Sequence, residues 1–288
     1  MVVMEQHYGR TPLRVIFAGR DNAFNRGFCV WLRENFELAA CLFLEGERFS
    51  LKGRWSRISW RGKKYGWWRV LDELAFHVYD RLILRRGEKK YWDAAIPEQY
   101  RVMHTLDVPC YVVDNVHGKK WIEMVTSLKP DVIIGLCGSV IFKPKFYTIP
   151  KFGTFILHEG LTPEYRGLHT PLWALVKDEP QYIGYTLLKV NKSIDGGDVL
   201  VQGGYMPEAG EGLSSWSLVG HKAIISGLPQ MAESLRKLIE NGGFTAVSLE
   251  GRNSNYYSWM TLTKYTRWRY RRIFKTSARH QISRQSNR

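Results

Sequence analysis

The sequence predicts an α/β fold, Rossmann-like with a mostly parallel sheet, on three observations. Short β-prone runs alternate with helical periodicity, the runs are apolar on both faces, and glycine or polar residues follow them. The first run, Arg14-Val15-Ile16-Phe17-Ala18, ends at Gly19, and Phe28, Trp31, Leu32 and Phe36 then recur at helical spacing. This is the β-turn-α opening of a doubly wound sheet. The turn, Gly19 to Asn25, carries neither GxGxxG nor a P-loop, so a dinucleotide cofactor is not supported.

Leu38 to Leu44 reads as the second strand, Cys110 to Val113 as the third and Val132 to Leu136 as the fourth, with a helical pattern from Trp121 to Leu128. Gly153 to His158 is a strand that delivers a histidine into a loop of glycine, proline and charge. Tyr185 to Val190 is a further strand, running into Ser193-Ile194-Asp195-Gly196-Gly197-Asp198 before Val199-Leu200-Val201. His158 and Asp195, each on a glycine-bearing loop after a strand, can meet above one sheet edge, where such folds place chemistry. After them, Ile224, Leu228, Met231, Leu235 and Leu238 mark an amphipathic helix expected to cover the sheet, with a break or kink near Gly227-Leu228-Pro229.

With 288 residues and 44% hydrophobic content, the chain is long enough for a substantial core. It carries no run of about 18 apolar residues and no signal-peptide pattern, so a cytoplasmic, soluble protein is expected. Cys29, Cys41, Cys110 and Cys137 show no CxxC spacing and read as reduced core residues. The net charge of +15 is concentrated in two places. Arg48 to Arg69 holds eight basic residues and no acid, interleaved with Trp55, Trp60, Trp67 and Trp68. Two readings stand for it: a phosphate-gripping, base- or sugar-stacking surface, or a solvated basic face whose indoles pack on the domain. Lys264 to Arg288 is the second basic run, expected to be a solvated tail, with nucleic acid or an anionic membrane surface as its other partners.

The stretch containing His158, Leu161, Pro163, Tyr165, Arg166, Gly167, Pro171, Trp173 and Ala174, followed by Asp195 and Gly197, resembles the formyltransferase family that uses 10-formyltetrahydrofolate. That family includes methionyl-tRNA, glycinamide-ribonucleotide and sugar-nucleotide formyltransferases. The resemblance implies a formyltransferase-like catalytic domain over residues 12–242 with a basic, Trp-rich insertion at about 46–95, and a basic extension over 243–288. The chain after Asp195 is too short for the family's tRNA-binding barrel, which argues against initiator-tRNA formylation. The implied reaction moves a formyl group from 10-formyltetrahydrofolate, as co-substrate, to a primary amine, with an anionic small molecule as the expected acceptor. His158 would stabilise the oxyanion and move protons, and Asp195 would orient it. Gly138, Val140, Ile141 and Gly196 would line the folate, with Cys137 to Phe142 placed where the family's loop wraps the pterin; an ordinary strand exit is the other reading of that stretch. Arg166 and Gly167 read as loop architecture.

One departure stands out. The family's Asn, two before the His, is Ile156 here, and a hydrocarbon cannot hold a developing oxyanion. Gly160 and Thr162 also replace the Ser and Leu of the common version. Candidate substitutes for the missing donor are Thr154 on the same strand face, His169, and a backbone N–H after His158. The different-class alternative is a degenerate member acting as a folate- or polyanion-binding module. A metal hydrolase is the rival enzyme, but His158-Glu159 and His169 lack HExxH spacing and no metal is expected.

Overall fold

The computed structural model describes residues 12–45, 51–136, 140–208, 211 and 215–272. Seven strands form one sheet in the order β3-β2-β1-β4-β5-β7-β8. They are β1 (Arg14–Gly19), β2 (Glu37–Leu44), β3 (Cys110–Val113), β4 (Val132–Leu136), β5 (Gly153–His158), β7 (Gly184–Lys189) and β8 (Val199–Gly204). Pairing is parallel from β3 to β5, and β7 and β8 add antiparallel. The winding reverses between β1 and β4, and the crevice beyond the C-terminal ends of these strands is where such sheets bind ligands.

Alternation along each strand divides the core into two layers. Val15, Phe17, Ile134, Phe155 and Leu157 pack in one cluster with α1 (Ala23–Asn35) and α8 (Trp216–Glu240). Ile16, Ala18, Leu42 and Ile133 face the other way, onto Val125 of α5 (Lys119–Ser127) and Phe146 of α6 (Pro144–Tyr147). Each fully buried side chain of this kind contributes about 1.5–3 kcal/mol. Helix α1 starts where the Asn22 side chain accepts from the Asn25 N–H at 2.9 Å, and α8 starts where Ser215 accepts from the Leu218 N–H at 3.0 Å.

Helix α8 differs from expectation in being continuous: Pro229 sits inside it and the 25-residue helix runs on. Ile224, Leu228, Met231, Leu235 and Leu238 are all buried against the sheet, and that packing offsets the lost backbone bond. Gly227 has its own reason: a Cβ there would strike the Tyr185 ring, so glycine lets the helix close on β7. Cys29 and Cys41 are buried as expected, whereas Cys110, on edge strand β3, is exposed; Cys137 lies outside the described residues.

The insertion is helical: α2 (Leu51–Tyr65), α3 (Trp67–Tyr79), a π-helical turn over Asp80–Leu84 and α4 (Arg85–Ala95). The indoles of its basic part do not pack on the domain: Trp55, Trp60, Trp67 and Trp68 are exposed, whereas Trp92 of α4 packs against Phe24 and His221. The C-terminal segment also departs from a solvated tail as far as residue 272. Met260, Tyr265 and Trp268 are buried in a cluster with Phe76 of α3 and with Leu172 and Trp173 of α7 (Thr170–Val176). Residues 273–288 lie outside the described part.

Candidate active site

Strand β5 places Thr154, Ile156 and His158 on one face, since Phe155 and Leu157 belong to the opposite core layer. Ile156, like Val140 and Val190, packs against the other layer, that of Ile16, Ile133 and Phe142, so the position that holds a polar amide in the family is part of an apolar wall. Ile141 projects outward, and Gly138 lies outside the described residues.

His158 is buried, and its Nε2 lies 2.9 Å from the Tyr165 carbonyl oxygen. A carbonyl can only accept, so Nε2 carries a proton and Nδ1 is left for chemistry. Asp195 has a left-handed backbone (φ 47°), and its Oδ2 accepts from the Gly167 N–H at 3.2 Å. Among the described residues no hydrogen bond joins His158 to Asp195. Each is tied instead to the backbone of one loop, two residues apart.

That loop is held from both ends by the C-terminal segment. Strand β6 (Arg166–Gly167) pairs in parallel with β9 (Tyr256–Tyr257). The Arg166 N–H donates to the Asn255 carbonyl at 3.1 Å and the Leu168 N–H to that of Tyr257 at 2.9 Å. The Tyr165 ring stacks on Tyr257 with centroids 4.6 Å apart, and its hydroxyl donates to Glu179. Arg252 forks onto Glu164 at 2.8 and 2.6 Å. Gly167 is glycine for a steric reason, with φ at 100° and no room for a Cβ beside the Tyr257 carbonyl.

Arg166 lies between the two anchors. Its Nη1 would be 2.5 Å from a Cβ at Gly196, and its Nε is buried with no hydrogen-bond partner among the described residues. A buried guanidinium N–H without an acceptor is costly, and an anion or carbonyl oxygen would satisfy it. Tyr256 faces the same group: burial raises its pKa, the charge of Asp195 adds to the rise, and Arg61 and Arg166 oppose it. Sequence reasoning took Arg166 for loop architecture and passed over Tyr256. The Tyr-Arg-Gly stretch held a signal for Arg166; a two-residue strand pair leaves none for Tyr256.

The proposed replacement donors are placed differently. Thr154 gives its one hydroxyl proton to the Tyr147 carbonyl at 3.1 Å and sits four strand residues from His158, about 13 Å along the strand. His169 has its ring among Phe76, Trp216 and Trp259, with centroids 6.1, 4.9 and 5.3 Å away. Burial lowers its pKa to about 4, with Asp80 opposing and His77 and Arg85 adding to the fall. His169 is therefore a neutral imidazole whose buried Nδ1 lacks a partner among the described residues. Glu159, the other ligand of the metal reading, is turned toward Gly220 of α8.

Beside this group, a cavity of about 310 Å³ is lined by Asp80, Arg85, Glu88, Trp92, Trp216, Ser217 and His221. Trp216 connects it to His169. Glu88 is buried there, accepting from the hydroxyls of Ser215 at 2.7 Å and Ser217 at 3.2 Å.

Residues 86–207, which hold His158, Arg166 and Asp195, match the model of the formyl transferase family. This segment belongs to that family. A 95-residue stretch is 37% identical to the bifunctional polymyxin resistance protein ArnA of Wigglesworthia glossinidia brevipalpis, covering 33% of this chain and 14% of that protein. A 92-residue stretch is 33% identical to the methionyl-tRNA formyltransferase of Caldicellulosiruptor saccharolyticus, covering 32% and 29%. The matched stretches thus span less than a third of these curated relatives. Glycinamide ribonucleotide transformylase 1 from Symbiobacterium toebii superposes with a TM-score of 0.51 at 12% identity, covering 84% of this chain and 97% of that one. A 4-N formyltransferase from Francisella tularensis gives 0.50 at 16% identity, covering 90% and 80%. At these identities the formyl transferase likeness is one of fold.

Proposed function

We propose that the protein transfers a formyl group from 10-formyltetrahydrofolate to a primary amine on a small, anionic acceptor. The observation that carries this reading is the loop 165–167, which anchors His158 and Asp195 two residues apart with a buried, unsatisfied Arg166 Nε between them. The folate would rest on the apolar wall of Val140, Ile156 and Val190 and supply the formyl group.

In the reaction the amine nitrogen forms a bond to the formyl carbon, the bond from that carbon to N10 breaks, and the amine proton ends on N10. His158 Nδ1 is the group for that proton's passage, since Nε2 is held by Tyr165. Asp195 keeps one carboxylate oxygen free of the Gly167 bond and can take the proton directly or through water. Arg166 is assigned the part lost with the family's Asn: a fixed cation for the negative charge that grows on the formyl oxygen.

The test is mass spectrometry of candidate amines incubated with the protein and 10-formyltetrahydrofolate. A gain of one formyl group that disappears in the His158→Ala variant supports the reading. Saturable binding of 5-formyltetrahydrofolate with no transfer to any amine would leave the folate-binding module in its place.

A further inference from the structure

Helix α3 is apolar on two roughly opposite faces, and among the described residues only one of them is buried. Val70 and Phe76 point inward with Glu73, Asp80 and Leu84. Roughly half a turn away, Trp67, Trp68, Leu71, Leu74 and Val78 point outward, and Leu82 and Ile83 of the π-helical turn follow them. Trp68 is 87% exposed and Val78 57%. A helix with two apolar faces belongs to an environment apolar on both sides, yet among the described residues the outward row meets protein only at its start, where Trp67 lies against Gly62 and Trp55 of α2.

The charges around that face have one sign. Residues 51–90 hold twelve Lys and Arg against Asp72, Glu73, Asp80 and Glu88. All four acids are turned into the protein: Asp72 accepts from the Thr263 N–H, Glu73 is paired with Arg61 and Arg69, Asp80 with Arg85 and the Trp216 indole, and Glu88 with two serines. Lys63, Lys64, Arg81 and Arg86 are exposed. Lys64 lies over the Trp60 ring at 4.8 Å, which keeps an indole and a cation at the same surface. The helix over 262–272 packs its Tyr265 against Phe76 and Tyr79 and adds exposed Arg267 nearby.

We propose that the outward face of α3 and the π-helical turn, with the cations of α2, docks peripherally on an anionic lipid bilayer. Indoles and aliphatic side chains rimmed by Lys and Arg match the interface of such a membrane, where the ring enters below headgroups that neutralise the cations. The 13 residues of α3 are too few to cross, and among the described residues no helix is long and apolar enough to do so. A second copy fits poorly, because a face of uniform positive sign repels itself. Nucleic acid would use the cations and indoles but give Leu71, Leu74, Val78, Leu82 and Ile83 nothing apolar to bury against.

Flotation of the full chain with phosphatidylcholine vesicles, and with vesicles in which a third of the lipid is phosphatidylglycerol, tests the proposal. Partition into the anionic vesicles should be at least about tenfold stronger, with blue-shifted Trp emission quenched by brominated acyl chains. Trp68→Ser with Leu71→Ser should remove the shift, and Lys63→Glu with Arg81→Glu should weaken partition at least about tenfold. Equal partition into both vesicle types overturns the proposal, as does partition that neither variant pair changes. A concentration-dependent dimer in sedimentation that the serine pair abolishes, or RNA binding that both pairs abolish while vesicles do not bind, assigns the face to those partners instead.

Discussion

The loop from His158 to Gly167 and helix α3 touch the same C-terminal segment but differ in how they use it. The loop is closed by it: β9 zips onto β6, Tyr257 stacks on Tyr165, and Arg252 forks onto Glu164. What remains open in the loop is the buried Arg166 Nε–H and the Thr162 hydroxyl, neither with a partner among the described residues. Helix α3 takes Tyr265 on its inner face and leaves its outer apolar row exposed. A nearly satisfied region with two vacancies suits a small ligand; an unsatisfied row suits an extended surface.

The contrast within α3 gives the largest expected effect. Phe76→Ala should cost about 3–5 kcal/mol in urea unfolding, because the ring is buried against Tyr265 and His169. Val78→Ala, two residues along on the outer face, should stay within about 0.5 kcal/mol. If Val78→Ala destabilises comparably, the outer face is covered by part of this chain and the contrast fails.

In the loop, the effects belong to rate rather than stability. His158→Ala and Asp195→Asn should each lower formyl transfer by about a hundredfold or more, the usual scale for general acid–base groups. Arg166→Met should cost about 10²–10³-fold, the scale for losing one oxyanion contact. Ile156→Asn sharpens the assignment. With Arg166 in the family amide's role, Asn at 156 adds little and interrupts the wall it forms with Val140 and Val190. A large gain in rate from Ile156→Asn would mean that Arg166 does not do that work.

The two regions were unequally legible in the sequence. The strand positions, the helix α8 stripe and the delivery of His158 by β5 follow from periodicities of 2 and 3.6, which a single sequence carries. The loop motif was legible through its resemblance to the formyltransferase family, whose residues it carries in order from His158 to Ala174. Tyr256 and Arg252 were not, since they reach the loop from 88 or so residues later, and pairing at that distance leaves no local pattern. For α3 the sequence held the apolar positions but not the side on which protein would lie. The indoles that read as packing on the domain therefore face outward.

His169 belongs to both regions, and its titration gives the last and smallest effect near neutral pH. Its backbone (φ 55°, ψ 35°) starts α7, while its ring lies against Phe76 of α3. Burial first, and then His77 and Arg85, lower its pKa from 6.5 to about 4, with Asp80 the one group opposing. The folded chain thus holds a neutral imidazole in a range where the unfolded chain takes a proton. Stability is unaffected above pH 6.5, falls as the pH drops from 6.5 toward 4, and has no further contribution from this group below 4. Most carboxylates titrate near pH 4, so the interval from 6.5 to 5 isolates histidine. His169→Asn keeps a residue type that tolerates the left-handed backbone and removes the titration. The variant should melt at a lower temperature at pH 7, having lost its ring contacts, but its Tm should fall less between pH 6.5 and 5 than that of the wild type. Parallel curves for the two proteins would show that the ring is hydrated, and that the loop and α3 are less tightly joined at His169 than its contacts indicate.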